Sequence, residues 1–322
     1  MSKIGDQIRN AKELIIVPEI FDCASAKAAE LNGFETIMIS SGDFACAYTG
    51  IPDLRLLSID EYENVTNRIT NMTKMPLILD IDDGFGRPIS TYYACKRLSK
   101  AGAAGVLVTD SRENSRPGGL GDINLVKTRI KAAHDGFMDA GDDDALIIAR
   151  CDVNPRTNFE EYIERSNTYL EAGANMICLC PYSVHGEGRE DLAKRLGENI
   201  KGWLWWPDLS VDKDGNAEFD LKDLFSWGYK MTGVHYSMHA SMIAMLDAGR
   251  HVFKERSNAY IAHAYDFTGY KFGSAMSLFG LYDNKWIDLE AKYVESPDQA
   301  ILRDYSKFFC RPDDCYDPDA KD

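Results

Sequence analysis

Two aspartates at the end of an apolar run are the chemically most telling residues of this chain. The segment Leu77-Ile78-Leu79-Asp80-Ile81-Asp82-Asp83-Gly84-Phe85-Gly86 passes abruptly from apolar residues into three carboxylates and then two glycines. A carboxylate at the end of a buried strand is costly unless it is paired or binds a metal. Mg²⁺ takes one or two carboxylates and completes its shell with water. On a strand Asp80 and Asp82 share side-chain parity, so both are expected to face one cavity. Gly84 and Gly86 let the backbone turn sharply and approach a ligand closely.

Something has to position these groups. Short apolar runs at residues 14–18, 36–40, 76–82, 105–110, 145–152, 175–180, 203–206 and 232–236 alternate with helix-like stretches at 23–31, 59–71, 89–101, 124–140, 159–172 and 221–228. Ala101-Gly102 and Ala172-Gly173 close two of the helices, as C-cap glycines do. Eight strands alternating with helices predict a (β/α)₈ TIM barrel, with a doubly wound sheet as the alternative. The chain reads as a single domain. Its core spans about residues 10–255, and a helical extension and solvated tail cover 256–322.

In a barrel of this kind the active site lies at the C-terminal strand ends. That rule gathers Ser41, Gly42 and Asp43 from strand two, Asp80 and Asp82 from strand three, and Thr109 and Asp110 from strand four. Strand five brings Arg150-Cys151-Asp152, strand six Cys180, strand seven Trp205-Trp206, and strand eight His235. Carboxylates, small hydroxyl and glycine residues and one arginine suit a small anionic substrate held by a metal and a guanidinium. His235 is a candidate acid/base, because an imidazole titrates near working pH. Each has a plainer reading: the aspartates as caps or ion-pair partners, Arg150 as a structural pair, Ser41-Gly42 as a turn, Cys180 as an inert buried thiol.

The bulk composition narrows the classes. The 322 residues are 45% hydrophobic and 27% charged, with a formal net charge of −15. No Lys/Arg cluster stands out, so neither nucleic acid nor an anionic membrane is an expected partner. The polar start Met1-Ser2-Lys3-Ile4-Gly5-Asp6-Gln7 is not a secretory leader, and no apolar run reaches the roughly 20 residues of a membrane span. A cytoplasmic protein is expected. Eight scattered cysteines then read as reduced thiols, without zinc-site spacing.

Taken together, the motifs resemble the isocitrate lyase/phosphoenolpyruvate mutase superfamily over about residues 10–255. Asp80-Ile81-Asp82-Asp83-Gly84-Phe85-Gly86 is similar to that family's D-x-D-x-G-[YF]-G metal motif. Ser41-Gly42 followed by Gly50-Ile51-Pro52-Asp53 resembles its S-G…G-x-P-D segment, Ala149-Arg150-Cys151-Asp152 its A-R-T-D, and Glu171-Ala172-Gly173-Ala174-Asn175 its E-A-G-A-D. The resemblance implies a barrel whose last core helix swaps between subunits of a homodimer or homotetramer. It also implies Mg²⁺, with Mn²⁺ as the substitute. Asp82 would ligate the metal directly, Asp80 largely through water, and Asp53 would stand behind them. Ser41 and the Gly42 backbone would hold a substrate carboxylate, and Arg150 would bind substrate and stabilise developing charge.

The chain also departs from the family. The lyase loop K-R-C-G-H is replaced by Ser115-Arg116-Pro117-Gly118-Gly119, which lacks both the cysteine and the lysine. Thr109 and Cys180 stand where glutamates are usual, and Asp43 is bulkier and more acidic than its usual counterpart. Arg112 or Arg116 on the stretch 111–120 would close over an anionic substrate. The leading expectation is a Mg²⁺-dependent carbon–carbon lyase acting on a small 2-oxo or 2-hydroxy carboxylate through an enolate-like species. Phosphorus–carbon chemistry, as in a mutase or phosphonopyruvate hydrolase, is the first alternative. A non-catalytic acid-binding relative is the second.

Overall fold

The computed structural model describes residues 4–111, 119–211, 214–262 and 284–296. Eight strands pair in parallel and in sequence order: β1 (Ile15–Ile20), β2 (Ile37–Ile39), β3 (Leu77–Asp80), β4 (Gly105–Thr109), β5 (Leu146–Cys151), β6 (Met176–Leu179), β7 (Trp203–Trp206) and β8 (Tyr229–Val234). β8 pairs back onto β1 through Ile15–Met231 to Pro18–Val234, so the sheet closes. The (β/α)₈ barrel is thereby established, and the doubly wound alternative falls.

Strand parity builds the interior. Val17, Met38, Ile78, Leu107, Ile148, Met176, Trp205 and Met231 form one buried cluster inside the barrel. Val106, Val108, Ile147, Ala149 and Ile177, of opposite parity, belong to the cluster packed under the helices. The first helix, Ile4–Asn10, sends Ile4 and Ile8 into the interior cluster. Its Gly5 comes so close to Asp144, just before β5, that a Cβ there would meet a carboxylate oxygen at 2.3 Å. That helix therefore covers the N-terminal mouth and leaves the C-terminal mouth for chemistry.

Two steps further along each strand, parity points to the open end. Two residues past Val17 is Glu19, past Met38 is Ser40, past Ile78 is Asp80, past Ile148 is Arg150, and past Met176 is Cys178. All five line one cavity. The hydrophobic pattern that fixes the core thus also fixes which polar side chains share the site.

Several boundaries differ from the sequence-based expectation. β3 ends at Asp80, two residues short of Asp82. β8 starts at Tyr229 rather than at 232, because Gly228, at φ +97°, ends the preceding helix and releases the chain directly into the strand. A helix, Ser41–Thr49, follows β2 at once where a turn was the plainer reading. Of the helical extension expected over 256–322, Ala259–Ala262 and Asn284–Ala291 are helical, while residues 263–283 and 297–322, with Cys310 and Cys315, lie outside the described set.

By internal contacts the chain divides into Met1–His239, which holds the barrel, and Ala240–Asp322. In the second unit Tyr260 donates to Asp247 at 2.5 Å and stacks on His251 at 4.1 Å between ring centres. Among the described residues no helix is long and apolar enough to cross a membrane.

Candidate active site

Asp80 and Asp82 do converge, but not as neighbours on one strand face. Asp80 is the last residue of β3. Asp82 sits in a left-handed turn at φ +52°, with Gly84, Phe85 and Gly86 at +77°, +63° and +98°. The Asp82 amide donates to Asp80 Oδ1 at 3.0 Å, which folds the turn back onto the strand end. Two non-glycine residues in the left-handed region carry strain that the surroundings must hold. Thr91 Oγ1 donates to the Gly84 carbonyl at 2.7 Å, and the fully buried Arg129 donates through Nε to the Gly86 carbonyl at 2.7 Å. A Cβ on Gly84 would lie 2.5 Å from Thr91 Oγ1, so glycine is required there on two counts. Tyr62, edge-on to both Phe44 and Phe85, packs the outer side of the turn.

Ser41 Oγ lies 3.3 Å from both Asp80 Oδ2 and Asp82 Oδ1, so its hydroxyl bridges the pair. A Cβ on Gly42 would stand 3.3 Å from Asp53 Oδ2. Gly42 therefore admits Asp53 to the back of the cluster. Burial, together with the charges of Asp80 and Asp53, pushes the Asp82 carboxyl up to about 7, against the pull of Arg55 and Arg150. Crowded buried carboxylates of this kind are the donor set a hard divalent cation relieves. Among the described residues no three His, Cys, Asp or Glu side chains form a ready-made cage. The fit is thus to an ion that takes two carboxylates and keeps its waters, as Mg²⁺ does.

Arg150 faces this cluster from β5. Its Nε donates to Asp152 Oδ1 at 2.9 Å and its Nη2 to Asp152 Oδ2 at 3.3 Å, while Nη1 lies 3.8 Å from Asp80 Oδ2. Thr109 Oγ1 donates to Asp152 Oδ2 at 3.1 Å. Thr109 thus supports the carboxylate that aims the arginine. Asp110 is not part of the cavity. It is wholly buried, accepts from the Asp152 amide at 2.8 Å and the Tyr169 hydroxyl at 2.9 Å, and is pushed up to about 6 chiefly by burial. It braces β4 against β5.

Opposite Arg150, just beyond the end of β8, His235 Nε2 lies 2.5 Å from Glu19 Oε2 and Nδ1 lies 3.7 Å from Asp208 Oδ1. Burial works against its charged form, but hydrogen bonding and charge from Asp208 and Glu19 outweigh it and raise the imidazole to about 10. Glu19 itself is raised, by burial first, with His235 opposing. The imidazolium is therefore the stable form at neutral pH. Asp43 lines the same cavity, its carboxyl raised by burial and lowered by His235 and His239.

Ser41, Gly42, Asp43, Asp53, Asp80, Arg150 and His235 line one cavity of about 420 Å³. Asp82 opens onto an adjoining cavity of about 260 Å³, shared with Ser41 and Asp53. Arg112 and Arg116 lie outside the described residues. Cys180 is buried at the start of a short helix, and Cys178 lines the cavity instead. Trp205, from the strand-seven end, lines the cavity too. Sequence reasoning passed over Glu19, Arg55 and Asp208. Only Glu19 carried a signal, two residues past the inward-facing Val17.

Comparison with known proteins agrees with this fold. The family model described as phosphoenolpyruvate phosphomutase matches residues 6–248. A 2-methylisocitrate lyase of Aeropyrum pernix is 32% identical over 217 residues, 65% of this chain and 69% of the relative. A 2,3-dimethylmalate lyase of Eubacterium barkeri is 28% identical over 233 residues, 70% of this chain and 76% of the relative. A phosphonopyruvate hydrolase solved in complex with oxalate and Mg²⁺ superposes with a TM-score of 0.75 at 21% identity, covering 91% of this chain and 99% of that one. At that identity the likeness speaks for the fold alone.

Proposed function

We propose a substrate class on this premise: the chain belongs to the phosphoenolpyruvate phosphomutase family, in the superfamily that includes isocitrate lyase, and is an enzyme with carbon–carbon lyase activity. The substrate is a small 2-hydroxy or 2-oxo carboxylate of malate type. One observation carries the reading: a largely buried Arg150, doubly anchored by Asp152, stands beside Asp80 of the Asp80/Asp82 pair in a cavity at the C-terminal end of the barrel.

Asp82 would hold a divalent ion directly and Asp80 largely through water, with Asp53 behind them. When bound, Mg²⁺ or Mn²⁺ supplies Lewis-acid polarisation of the substrate's oxygens. Ser41 and the Gly42 amide lie beside the carboxylates and would orient the substrate carboxylate. Arg150, held in one orientation by Asp152, meets the negative charge that develops as the carbon–carbon bond breaks. His235, protonated and held by Glu19, delivers a proton to the carbon that gains the electron pair. This takes the place of the missing loop cysteine, with Arg116 left as a candidate that closes over the acid. A phosphonopyruvate hydrolase of the same fold was solved with a small dicarboxylate, oxalate, and Mg²⁺.

The helix Ser237–Glu255 exposes Met242, Met245, Leu246 and Phe253 at helical spacing. Such a stripe supports a second copy as the partner, in a homodimer or homotetramer.

Proton and phosphorus NMR tests the function. The purified chain would be incubated with Mg²⁺ and isocitrate, methylisocitrate, dimethylmalate, oxaloacetate or phosphonopyruvate, with and without EDTA. The expected outcome is a carbon–carbon cleavage product from one of the malate-type acids, abolished by EDTA. A new phosphorus resonance from phosphonopyruvate alone would move the assignment to phosphorus–carbon chemistry.

A further inference from the structure

Arg55 is one of only a few described non-glycine residues in the left-handed region, at φ +56°. A side chain held there is strained and persists where its surroundings over-determine it. Its surroundings are the acidic cluster. The Arg55 side chain is only 6% exposed, its Nε lies 3.4 Å from Asp82 Oδ1, and its Nη2 donates to Ser111 Oγ at 2.5 Å. Both side chains are largely buried, so screening by water and salt is weakened.

We propose that Arg55 is a built-in counter-ion of the Asp82 carboxylate which a divalent metal must displace, and that it thereby sets the metal affinity of the site. The inference rests on the metal-binding reading above and extends it to a residue that reading does not use. Asp82 Oδ1 cannot serve a nearby guanidinium and a divalent ion equally. An ion seated on that oxygen would come within a few ångströms of a like charge, in a region of low effective dielectric. The two arginines divide the work by position. Arg150, tied to Asp152, stays on the Asp80 side of the larger cavity. Arg55 lines the smaller cavity on the Asp82 side and has a second acceptor, Ser111, to retain when it gives up Asp82. A purely structural Arg55 would behave differently, because its loss would lower stability and leave metal affinity alone or weaken it.

Mn²⁺ titration calorimetry on the full chain distinguishes these, with the unfolding midpoint measured on the same samples. The variants are Arg55→Gly, which accepts φ +56° without strain, Arg55→Met, which keeps bulk without charge, and Arg55→Lys, which keeps the charge. Arg55→Gly and Arg55→Met should bind Mn²⁺ about tenfold or more tightly than the parent, and Arg55→Lys within about threefold of it. If the parent binds Mn²⁺ and both uncharged, folded variants bind no more tightly, the counter-ion role is overturned while the metal site stands. If neither the parent nor any variant binds Mn²⁺, the metal reading falls, and this inference with it.

Discussion

Removing the Asp152 carboxylate should disarm Arg150 without touching the metal ligands. The pair makes two charge-assisted hydrogen bonds, at 2.9 and 3.3 Å, and the arginine side chain is 15% exposed. A hydrogen bond to a charged group contributes about 1.5–3 kcal/mol. Stranding one member of a buried ion pair costs about 3–5 kcal/mol. Among the described residues Arg150 would keep only Asp80 as an ion-pair partner, at 3.8 Å, so Asp152→Ala belongs at the low end, about 3 kcal/mol of unfolding free energy. Asp152→Asn keeps an oxygen that accepts from Nε and should lose about half of that. A guanidinium free to swing by an ångström loses about a hundredfold in positioning. Oxalate binding in the presence of Mg²⁺ should therefore weaken about a hundredfold in Asp152→Ala and about tenfold in Asp152→Asn. Urea unfolding and titration calorimetry read the two effects separately. Parental oxalate affinity in a folded Asp152→Ala protein would refute the claim that Asp152 aims Arg150.

The remaining predictions concern the turn and the titrating groups. Gly84→Ala, forced to φ +77° and against Thr91, should destabilise the fold by about 1–3 kcal/mol and reduce Mn²⁺ affinity; a stable variant with parental affinity would mean the turn does not position Asp82. Because the folded Asp82 carboxyl, at about 7, lies above its ordinary 3.8, its contribution to stability is full below about pH 4 and lost as pH rises through about 7. Mn²⁺ affinity should rise over the same upper range as the proton leaves, and a flat affinity between pH 6 and 8 would contradict this. His235 is raised from 6.5 to about 10, so its contribution is full below pH 6.5 and lost as pH climbs through about 10. Thermal unfolding of the parent should decline across that window more steeply than that of His235→Gln; parallel declines would show that Glu19 and Asp208 do not hold the imidazolium.

Much of this architecture was legible because burial imposes period two on a strand. The alternation through Ile78 to Asp80 and Ile148 to Arg150 identifies both the barrel wall and the polar ring at its mouth. Asp82 was legible as a member of the carboxylate cluster for an incomplete reason. Its parity with Asp80 is real in the sequence, yet the strand stops first, and a left-handed turn, braced by Thr91 and Arg129, brings the carboxylates together. Arg129 arrives from another helix, so no local pattern announces it. Arg55 is invisible for the same kind of reason, since neither its backbone conformation nor its contact with Asp82 follows from its neighbours. Asp208 meets His235 only because β7 and β8 are adjacent.

The central claim is that a divalent ion held by Asp82 and Asp80 and a guanidinium held by Asp152 together grip a small dicarboxylate. Titration of oxalate into the parent and into Asp82→Asn, each with Mg²⁺ and with EDTA, tests it most directly. The account predicts binding by the parent that depends on Mg²⁺, and loss of that dependence in the variant. Oxalate binding equally strong with EDTA, or an Asp82→Asn protein that responds to Mg²⁺ as the parent does, would contradict it.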